Sequence, residues 1–335
     1  MSEVKVAIYK NADEVGRHAA RLTEQLLRTE PDSVLGLATG SSPVKTGYYP
    51  ELIRMRNEGG LDLSKVATFN LDEYLLFSLN PTLDSAKDQS YRRYIWEHFL
   101  KNTGINTENM YIPDGLTPNP DRHCQWYDNK IKEMGGIDLQ ILGVGSDGHI
   151  GFNEPGSPLN SRTRVVPLHF STLVDNYHAF VREGGYDFTD MPVFAITMGV
   201  GTIMEAREII LLAAGESKSK AIKQLVEEPI TSQITASKLQ EHPNFTVVVD
   251  EAAAKYLGKQ LPEEANRPNP LDSFRYPYIT EARKVYDEIQ AFRMSNQTTM
   301  QSPELIANLK AIQKRFLKRI FDTNFGGIQE LLSPK

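Results

Sequence analysis

The stretch GVGSDGHIGFNEPGS, residues 143–157, places acidic side chains and an imidazole among five glycines and a proline. Glycine adds nothing to a core and costs backbone entropy, so this density indicates tight turns or a close approach to a ligand. Asp147 and Glu154 flank His149, and a histidine titrates near neutrality. Nearby carboxylates fix its tautomer and stabilise its charged form, as acid–base catalysis requires. The segment therefore predicts an acid–base site, with a solvated surface loop as the alternative.

Two further polar stretches follow apolar runs. Asp72 and Glu73 stand in TFNLDEY, and we expect both carboxylates at the same rim as His149. The turn ATGSSP, residues 38–43, joins an apolar run to a helical segment, so its backbone N–H groups can receive an anion such as phosphate. A serine cap without any ligand is the alternative for this turn. Carboxylates beside an anion-binding turn suit proton transfer on a phosphorylated small molecule.

Other ligand classes fit the spacing less well. The glycines of residues 143–148 match the GxGxxG pattern of dinucleotide sites, but residues 149–155 do not readily continue the helix that this pattern needs. A metal could use the acids and imidazole of the same stretch, yet HxH and HExxH are absent and the other histidines are scattered. The turn at residues 38–43 lacks a P-loop lysine. We therefore expect no metal and no cofactor.

Composition limits the class of protein. The 335 residues are 40% hydrophobic and 24% charged, as in soluble globular proteins. A net charge of −6 argues against nucleic acid as a partner. The single cysteine, Cys124, cannot form an intramolecular disulfide. The chain shows neither a signal peptide nor an apolar run of about 18 residues, so we expect a cytoplasmic protein without a membrane partner.

The elements that must position these side chains follow a βα pattern, because short apolar runs alternate with helix-period segments. Most runs are continuous, as in parallel strands covered on both faces, and ligands bind beyond the carboxyl ends of such strands. The predicted strands are 34–39, 66–70, 139–145, 193–198, 208–214 and 245–250, with 4–9 as a possible edge strand. The predicted helices are 12–28, 48–56, 90–101, 122–133, 217–227 and 252–257.

The composition changes after residue 258. A proline-rich stretch leads to two further helical segments, and the second has Ser302 as a cap and Pro303 at its first position. Its apolar residues repeat at spacings of three and four, a pattern that more often packs on its own domain or on a second subunit than on a membrane. We predict an α/β domain over residues 1–257, a helical extension over 258–335, and a homo-oligomer.

Five stretches together resemble the glucosamine-6-phosphate deaminase family, in order and over roughly residues 1–255. They are LGLATGSSP, TFNLDEY, LGVGSDGHIGFNEPGS, SRTR and MGVGTIMEAREIILLAAGESKSKA. The resemblance implies a Rossmann-like α/β fold with an open, mostly parallel sheet and helices on both faces. It also implies an enzyme, which we class as a hydrolase and isomerase-type deaminase, acting on a small sugar phosphate. The reaction would isomerise glucosamine 6-phosphate from aldose to ketose, release ammonia and leave fructose 6-phosphate.

The resemblance also implies a role for each acid–base residue. Asp72 matches the base that moves a proton between the first two sugar carbons. His149 matches the group that opens the pyranose ring, with Asp147 and Glu154 holding and tuning it.

Substrate contacts are implied as well, with one departure from the family. The matching residues are Thr39, Ser41, Ser42 and Lys218, of which the serines and the lysine correspond to the phosphate site. Where the family has a phosphate-binding arginine, this chain has His178, and Arg182 lies nearby as a substitute if the loop is shifted.

Two alternatives remain. One is an enzyme of the same superfamily, either a 6-phosphogluconolactonase or an isomerase of another amino sugar phosphate. The other is a regulatory module that binds sugar phosphates without turnover. Retention of Asp72, Asp147, His149 and Glu154 together argues against the regulatory module.

Overall fold

The computed structural model describes residues 4–75, 90–169, 172–173, 176–183, 191–263, 275–295 and 303–324. The strands are β1 Lys5–Tyr9, β2 Val34–Leu37, β3 Ala67–Asn70, β4 Asp72–Leu75, β5 Met110–Tyr111, β6 Leu139–Leu142, β7 Arg164–Pro167, β8 Phe194–Thr197, β9 Glu208–Ala213 and β10 Phe245–Asp250. Seven of them form a parallel sheet in the order β1-β10-β9-β6-β2-β3-β5. This arrangement confirms the predicted Rossmann-like, mostly parallel fold.

Helices cover both faces of the parallel sheet. The α-helices of the structure are α1 Ala12–Thr29, α2 Ser41–Lys45, α3 Tyr48–Gly59, α4 Tyr91–His98, α5 Pro120–Glu133, α6 Val200–Ile203, α7 Ser219–Glu227, α8 Arg275–Ser295 and α9 Pro303–Asn324. Buried side chains of α1, α3 and α4 share one core with the sheet, and those of α5 and α7 share the core on its other face. The side chains of Asn11, Ser90 and Asn119 cap α1, α4 and α5. Among the described residues, no helix is long and apolar enough to cross a membrane.

The parallel sheet has its topological switch point between β2 and β6. From β2 the chain moves outward through β3 to β5, and it then returns to β6 on the opposite side of β2. The connections that leave the two strands therefore diverge, which opens a crevice at their carboxyl ends. Gly36 on β2 allows β2 to pack closely beside β6, because a Cβ at this position would lie 2.1 Å from Oε1 of Gln140 on β6.

A second, antiparallel sheet, which the sequence did not predict, lies beside the crevice. Its strand order is β4-β8-β7, with Asp72 and Arg164 both paired to Thr197. The apolar run at 193–198 was correctly predicted as a strand, but it belongs to this second sheet. The region containing Asp72 was expected to follow a strand, whereas the chain re-enters a strand after only one residue, Leu71.

One predicted helix is wrong. Residues 252–257 form hydrogen-bonded turns, in which the Leu257 N–H donates to the Ala254 carbonyl. The N–H groups of Lys255 and Leu257 donate to carbonyls three residues back, and Gly258, with φ of +68°, ends the segment before a run of α-helical bonds is established.

The last two described helices pack against the second sheet. Helix α9 begins at Pro303 as predicted, whereas Ser302 lies outside the described residues. Buried side chains of α8 and α9 share one core with β4, β7 and β8. The amide of Gln313 also donates to the Met191 carbonyl at 2.6 Å. The division of the chain after residue 257 stays a prediction.

We predict that Leu317→Ala lowers the stability of the whole protein, because Leu317 is fully buried in the core that α9 shares with the second sheet. A loss of about 2–5 kcal/mol in the free energy of unfolding is expected. Ile279→Ala on α8, where the side chain is 38% exposed, is the control and should change stability by less than about 0.5 kcal/mol. Urea unfolding followed by circular dichroism measures both. Two separate transitions in the parent, with only one shifted by Leu317→Ala, would contradict a shared core.

Candidate active site

A cavity of about 320 Å³ opens at the carboxyl ends of β2, β3 and β6. Three stretches singled out in the sequence meet there: the turn after β2, the start of β4 and the glycine-rich loop after β6. Side chains on its wall include Thr39, Ser42, Asp72, Asp147, His149, His169, Thr172 and Lys218. The structure therefore brings together most of the predicted site residues that it describes.

Glycines determine the path of the loop after β6. The Gly145 N–H donates to the His149 carbonyl at 2.8 Å, which turns the chain back on itself. A Cβ on Gly145 would lie 2.5 Å from Nδ1 of His149, so only glycine leaves room for the imidazole. Gly148 has φ of +84°, in the left-handed region that other residues rarely adopt. The predicted close approach of backbone therefore occurs, and it is an approach to the histidine ring.

A second segment, residues 231–237, holds this loop in place. The Ala236 N–H donates to the Gly148 carbonyl at 3.0 Å, and the Thr235 hydroxyl donates to the Asn153 carbonyl at 2.7 Å. The sequence motifs gave no indication of this support, because these contacts depend on the tertiary fold.

His149 lies between two carboxylates. Its Nδ1 is 2.7 Å from Oδ1 of Asp147 and 3.3 Å from Oε2 of Glu154, although neither contact has the geometry of an aligned hydrogen bond. Burial alone would lower the pKa of His149, but the two carboxylates outweigh burial and raise it well above its usual value. Burial acts to raise the pKa of Asp147, and the contact with His149 prevails and lowers it. The imidazole is therefore charged at neutral pH.

The Asp72 carboxyl faces the same cavity from the second sheet. Burial and the charge of Glu73 raise the pKa of Asp72 to about 7, against the opposing effects of the Thr39 hydroxyl and His149. The Thr39 hydroxyl donates to Oδ1 of Asp72 at 3.4 Å. Gly151 packs against the other oxygen, since a Cβ there would lie 3.3 Å from Oδ2. A carboxyl with this pKa can accept or donate a proton near neutrality.

Glu73 does not join Asp72 at the cavity wall, which corrects the expectation of an acid pair at one rim. Neighbouring residues on a strand point to opposite faces. The Glu73 carboxylate instead accepts hydrogen bonds from the backbone N–H groups of Tyr74, Tyr91 and Arg92, at 2.8, 3.0 and 2.8 Å. Burial raises the pKa of Glu73 to about 7, although these bonds act to lower it. Glu73 therefore anchors the start of α4.

The rim of the cavity carries positive charge at Lys218. Burial lowers the pKa of this lysine, Asp147 acts to raise it, and the charge of Lys45 lowers it further. Lys218 forms no ion pair with a carboxylate of the described residues. Ser42 is buried across the cavity, with its Cβ close to Gly143. Hydroxyls, backbone N–H groups and an unpaired ammonium together suit an anionic ligand group.

Three predicted substrate contacts are not placed at the cavity. The side chains of Ser41 and His178 lie outside the described part of the structure. Arg182 is exposed, and its side chain is not among the described residues that line the cavity. The choice between His178 and Arg182 as a phosphate ligand stays a prediction.

The sequence motifs missed two cavity residues. His169 and Thr172 follow β7, and the Thr172 hydroxyl donates to Oε1 of Glu154 at 3.5 Å. Neither stands in a motif, and only the fold brings them to the wall.

Within the described residues, Asp147, His149 and Glu154 also form a group able to hold a metal, with ligand atoms within 4.8 Å of one another. A protonated imidazole is a donor and cannot act as a ligand. A metal would have to displace this proton, and the expected absence of a metal stays a prediction.

Comparisons with known proteins identify the family of the chain. The profile of the glucosamine-6-phosphate isomerases and 6-phosphogluconolactonases matches residues 9–249. A glucosamine-6-phosphate deaminase from Arthrobacter sp. (strain FB24) is 45% identical over 254 residues, covering 76% of this chain and 93% of that protein. The solved structure of a monomeric glucosamine-6-phosphate deaminase is 36% identical, with a TM-score of 0.68, over 75% of this chain and 99% of the other.

A more distant structure shares the fold alone. The 6-phosphogluconolactonase from Trypanosoma brucei is 19% identical, with a TM-score of 0.54, over 76% of this chain and 99% of the other. The hydrolase part of the sequence-based classification has no support in the deaminase names of the nearer relatives. With a matching profile over most of the chain and relatives above 40% identity, the chain belongs to the family of glucosamine-6-phosphate isomerases and 6-phosphogluconolactonases.

Proposed function

We propose that this protein converts glucosamine 6-phosphate and water into fructose 6-phosphate and ammonia. One observation carries the proposal: Asp72, with a pKa of about 7, and the charged His149 line the same cavity. The pair supplies a base and an acid at neutral pH. The deaminase relatives at 45% and 42% identity support the same reaction.

His149 is the acid of ring opening. The Asp147 and Glu154 carboxylates keep its imidazole protonated, so the ring can donate a proton to the pyranose oxygen. As the bond between C1 and the ring oxygen breaks, the neutral imidazole left between the two carboxylates takes up the proton of the O1 hydroxyl, and C1 becomes the open-chain aldehyde. The same group can therefore act in every turnover.

Asp72 is the base for carbon chemistry. It takes the proton from C2 of the open-chain sugar and returns it to C1. Water then replaces nitrogen at C2, and the nitrogen leaves as ammonia. A carboxyl with a pKa near the working pH is well matched to both directions of this transfer.

The phosphate of the substrate binds at the opposite rim of the cavity. Lys218 provides a charge without a described carboxylate partner, and Ser42 provides a hydroxyl on the wall. Ser41 belongs to the same turn and is proposed to contribute its backbone N–H. His178 or Arg182 would complete the phosphate site.

Lactone hydrolysis is the weaker alternative. It needs no base for a carbon-bound proton, and so leaves the burial and raised pKa of Asp72 without a role. A binding module without turnover would not need His149 to be held charged.

The homo-oligomer, the cytoplasmic location and the division after residue 257 remain proposals, and the monomeric relative is a precedent for a single chain.

Ammonia release from glucosamine 6-phosphate by the purified protein tests the proposed function directly. A coupled assay for fructose 6-phosphate should give the same rate, because one sugar product forms for each ammonia. Release of neither product, together with hydrolysis of 6-phosphogluconolactone, would identify the protein as a lactonase instead.

We predict that Asp72→Asn removes turnover and preserves ligand binding. The amide keeps the size and polarity of the carboxyl but cannot accept the C2 proton. The kcat should fall by more than about 100-fold, with fructose 6-phosphate still bound in calorimetry. Asp32→Asn at an exposed position is the control and should match the parent. A near-normal kcat in Asp72→Asn would show that Asp72 is not the base.

The pH dependence follows from the state in which Asp72 acts. Only the ionised carboxyl accepts a proton, so kcat/KM should rise with pH through about 7. The Thr39 hydroxyl acts to lower the pKa of Asp72, and Thr39→Val should therefore move this rise to higher pH. Glu73 has a similar pKa but no bond to Thr39, so the shift separates the two acids. If the rise of kcat/KM in Thr39→Val stays at the pH of the parent, or moves to lower pH, Asp72 is not the group that titrates.

A further inference from the structure

The cavity has an aromatic wall to which the proposed mechanism assigns no role. The rings of Tyr91 and Phe152 form this wall, and they line the cavity together with Asp72. The two rings are nearly parallel, with 5.8 Å between their centroids and 5° between their planes. Most of the other side chains that line the cavity are polar. The aromatic wall therefore gives an otherwise polar cavity one apolar face.

The aromatic wall lies beside the proposed base. Gly151 comes directly before Phe152, and a Cβ at Gly151 would lie 3.3 Å from Oδ2 of Asp72. The Phe152 N–H donates to the Thr197 hydroxyl at 3.1 Å, and Thr197 pairs with Asp72 across the second sheet. Burial is the main cause that raises the pKa of Tyr91, and the charge of Asp72 contributes to the same rise. Backbone contacts and electrostatics thus agree on the position of the wall.

Hydrogen bonds fix the start of α4, and with it Tyr91, on the second sheet. The Glu73 carboxylate accepts the N–H groups of Tyr91 and Arg92, at 3.0 and 2.8 Å. The Ser90 hydroxyl accepts the N–H of Arg93 at 3.1 Å. Three of the four N–H groups that a helix leaves unsatisfied at its N-terminus therefore have partners here. Glu73 is next to the proposed base on β4, so one strand positions both the base and the Tyr91 ring.

We propose that Tyr91 is a binding residue for the carbon chain of the sugar, that its ring excludes water from Asp72, and that Glu73 positions it. The inference rests on the proposed function, because that function places the reacting carbons of the sugar beside Asp72. The C–H groups of a sugar are apolar, and ligand sites commonly combine aromatic side chains with a few polar groups that orient the ligand. Tyr91 and Phe152 supply the aromatic part of such a site.

Exclusion of water by the Tyr91 ring contributes to the raised pKa of Asp72. Burial is the first cause that raises this pKa to about 7, and the charge of Glu73 is the second. The Thr39 hydroxyl and His149 act in the opposite direction. Removing the ring should hydrate the Asp72 carboxyl and lower its pKa. This effect is opposite in sign to the one expected for Thr39→Val.

The pH profile of the full chain tests the role of the ring. In Tyr91→Ala, the rise of kcat/KM should lie about one pH unit below that of the parent, because water reaches the Asp72 carboxyl. Tyr91→Phe keeps the ring and should retain the profile of the parent. Tyr94→Ala is the matched control: it removes a tyrosine of the same helix whose ring packs on His98 and is not part of the described cavity wall. If circular dichroism shows that Tyr91→Ala is unfolded, Tyr91→Leu takes its place, with a smaller shift in the same direction.

Binding of fructose 6-phosphate gives a second readout that needs no turnover. Calorimetry should show that Tyr91→Ala weakens this binding by about fivefold, as expected for the loss of one aromatic contact. Glu73→Gln should weaken it as well, because the amide offers one acceptor oxygen where the carboxylate offers two. The double variant should bind like Tyr91→Ala alone, since Glu73 acts through Tyr91. Additive losses in the double variant would overturn the role of Glu73.

The outcomes separate this inference from the proposed function. If the parent releases ammonia, an unshifted pH profile or unchanged binding in the folded Tyr91 variant would overturn the role of Tyr91 alone. An equal shift in Tyr94→Ala would overturn it too, because any loosening of α4 would then have the same effect. Absence of both ammonia release and fructose 6-phosphate binding in the parent would overturn the proposed function and this inference together. Binding that depends on Tyr91 without ammonia release would support the aromatic wall and reject the deaminase reaction.

Discussion

An imidazole held between two carboxylates is the contact on which the geometry of the site depends. Burial alone would remove the charge from His149, and Asp147 and Glu154 restore it. All three belong to one short loop, so the chain must turn back sharply to bring them together. Gly145 leaves the space that the ring fills, and residues 231–237 bind the loop from outside. The glycines of the loop, the path of its backbone and the charge of His149 therefore depend on one another.

Two adjacent buried acids have different surroundings, and this difference explains which one can react. The carboxylate of Glu73 accepts hydrogen bonds from two backbone N–H groups at the start of α4 and from the N–H of Tyr74. Among the described residues, Asp72 receives only a long bond from Thr39, and it lines the cavity. Burying a carboxyl is costly unless hydrogen bonds compensate for the lost water. Glu73 has this compensation and serves as an anchor. Both carboxyls have a pKa raised to about 7, but of the two only Asp72 lines the cavity, so only its proton can exchange with a ligand there.

Sequence could predict whatever depends on local spacing. The apolar runs predicted six of the seven strands of the parallel sheet, because both faces of such a sheet are covered, and missed only the two-residue β5. The 143–157 motif predicted its own cluster because its residues are near neighbours. The second sheet escaped prediction because β4 begins with two acids and follows β3 after a single residue. His169 and Thr172 reach the cavity only through tertiary packing. The opposite orientations of Asp72 and Glu73 likewise required knowledge that both lie in a strand.

Helices α8 and α9 share a core with β4, the strand that carries Asp72. Tyr74 and Leu75 of β4 lie two and three residues after Asp72, and they share a core with α8 and α9. Relatives that match over 254 residues are covered over at least nine-tenths of their own length, whereas the match leaves about a quarter of this chain unpaired. The profile of the family also ends at residue 249, before α8 begins. This chain therefore places apolar side chains of the strand that carries its proposed base in one core with helices beyond the family profile.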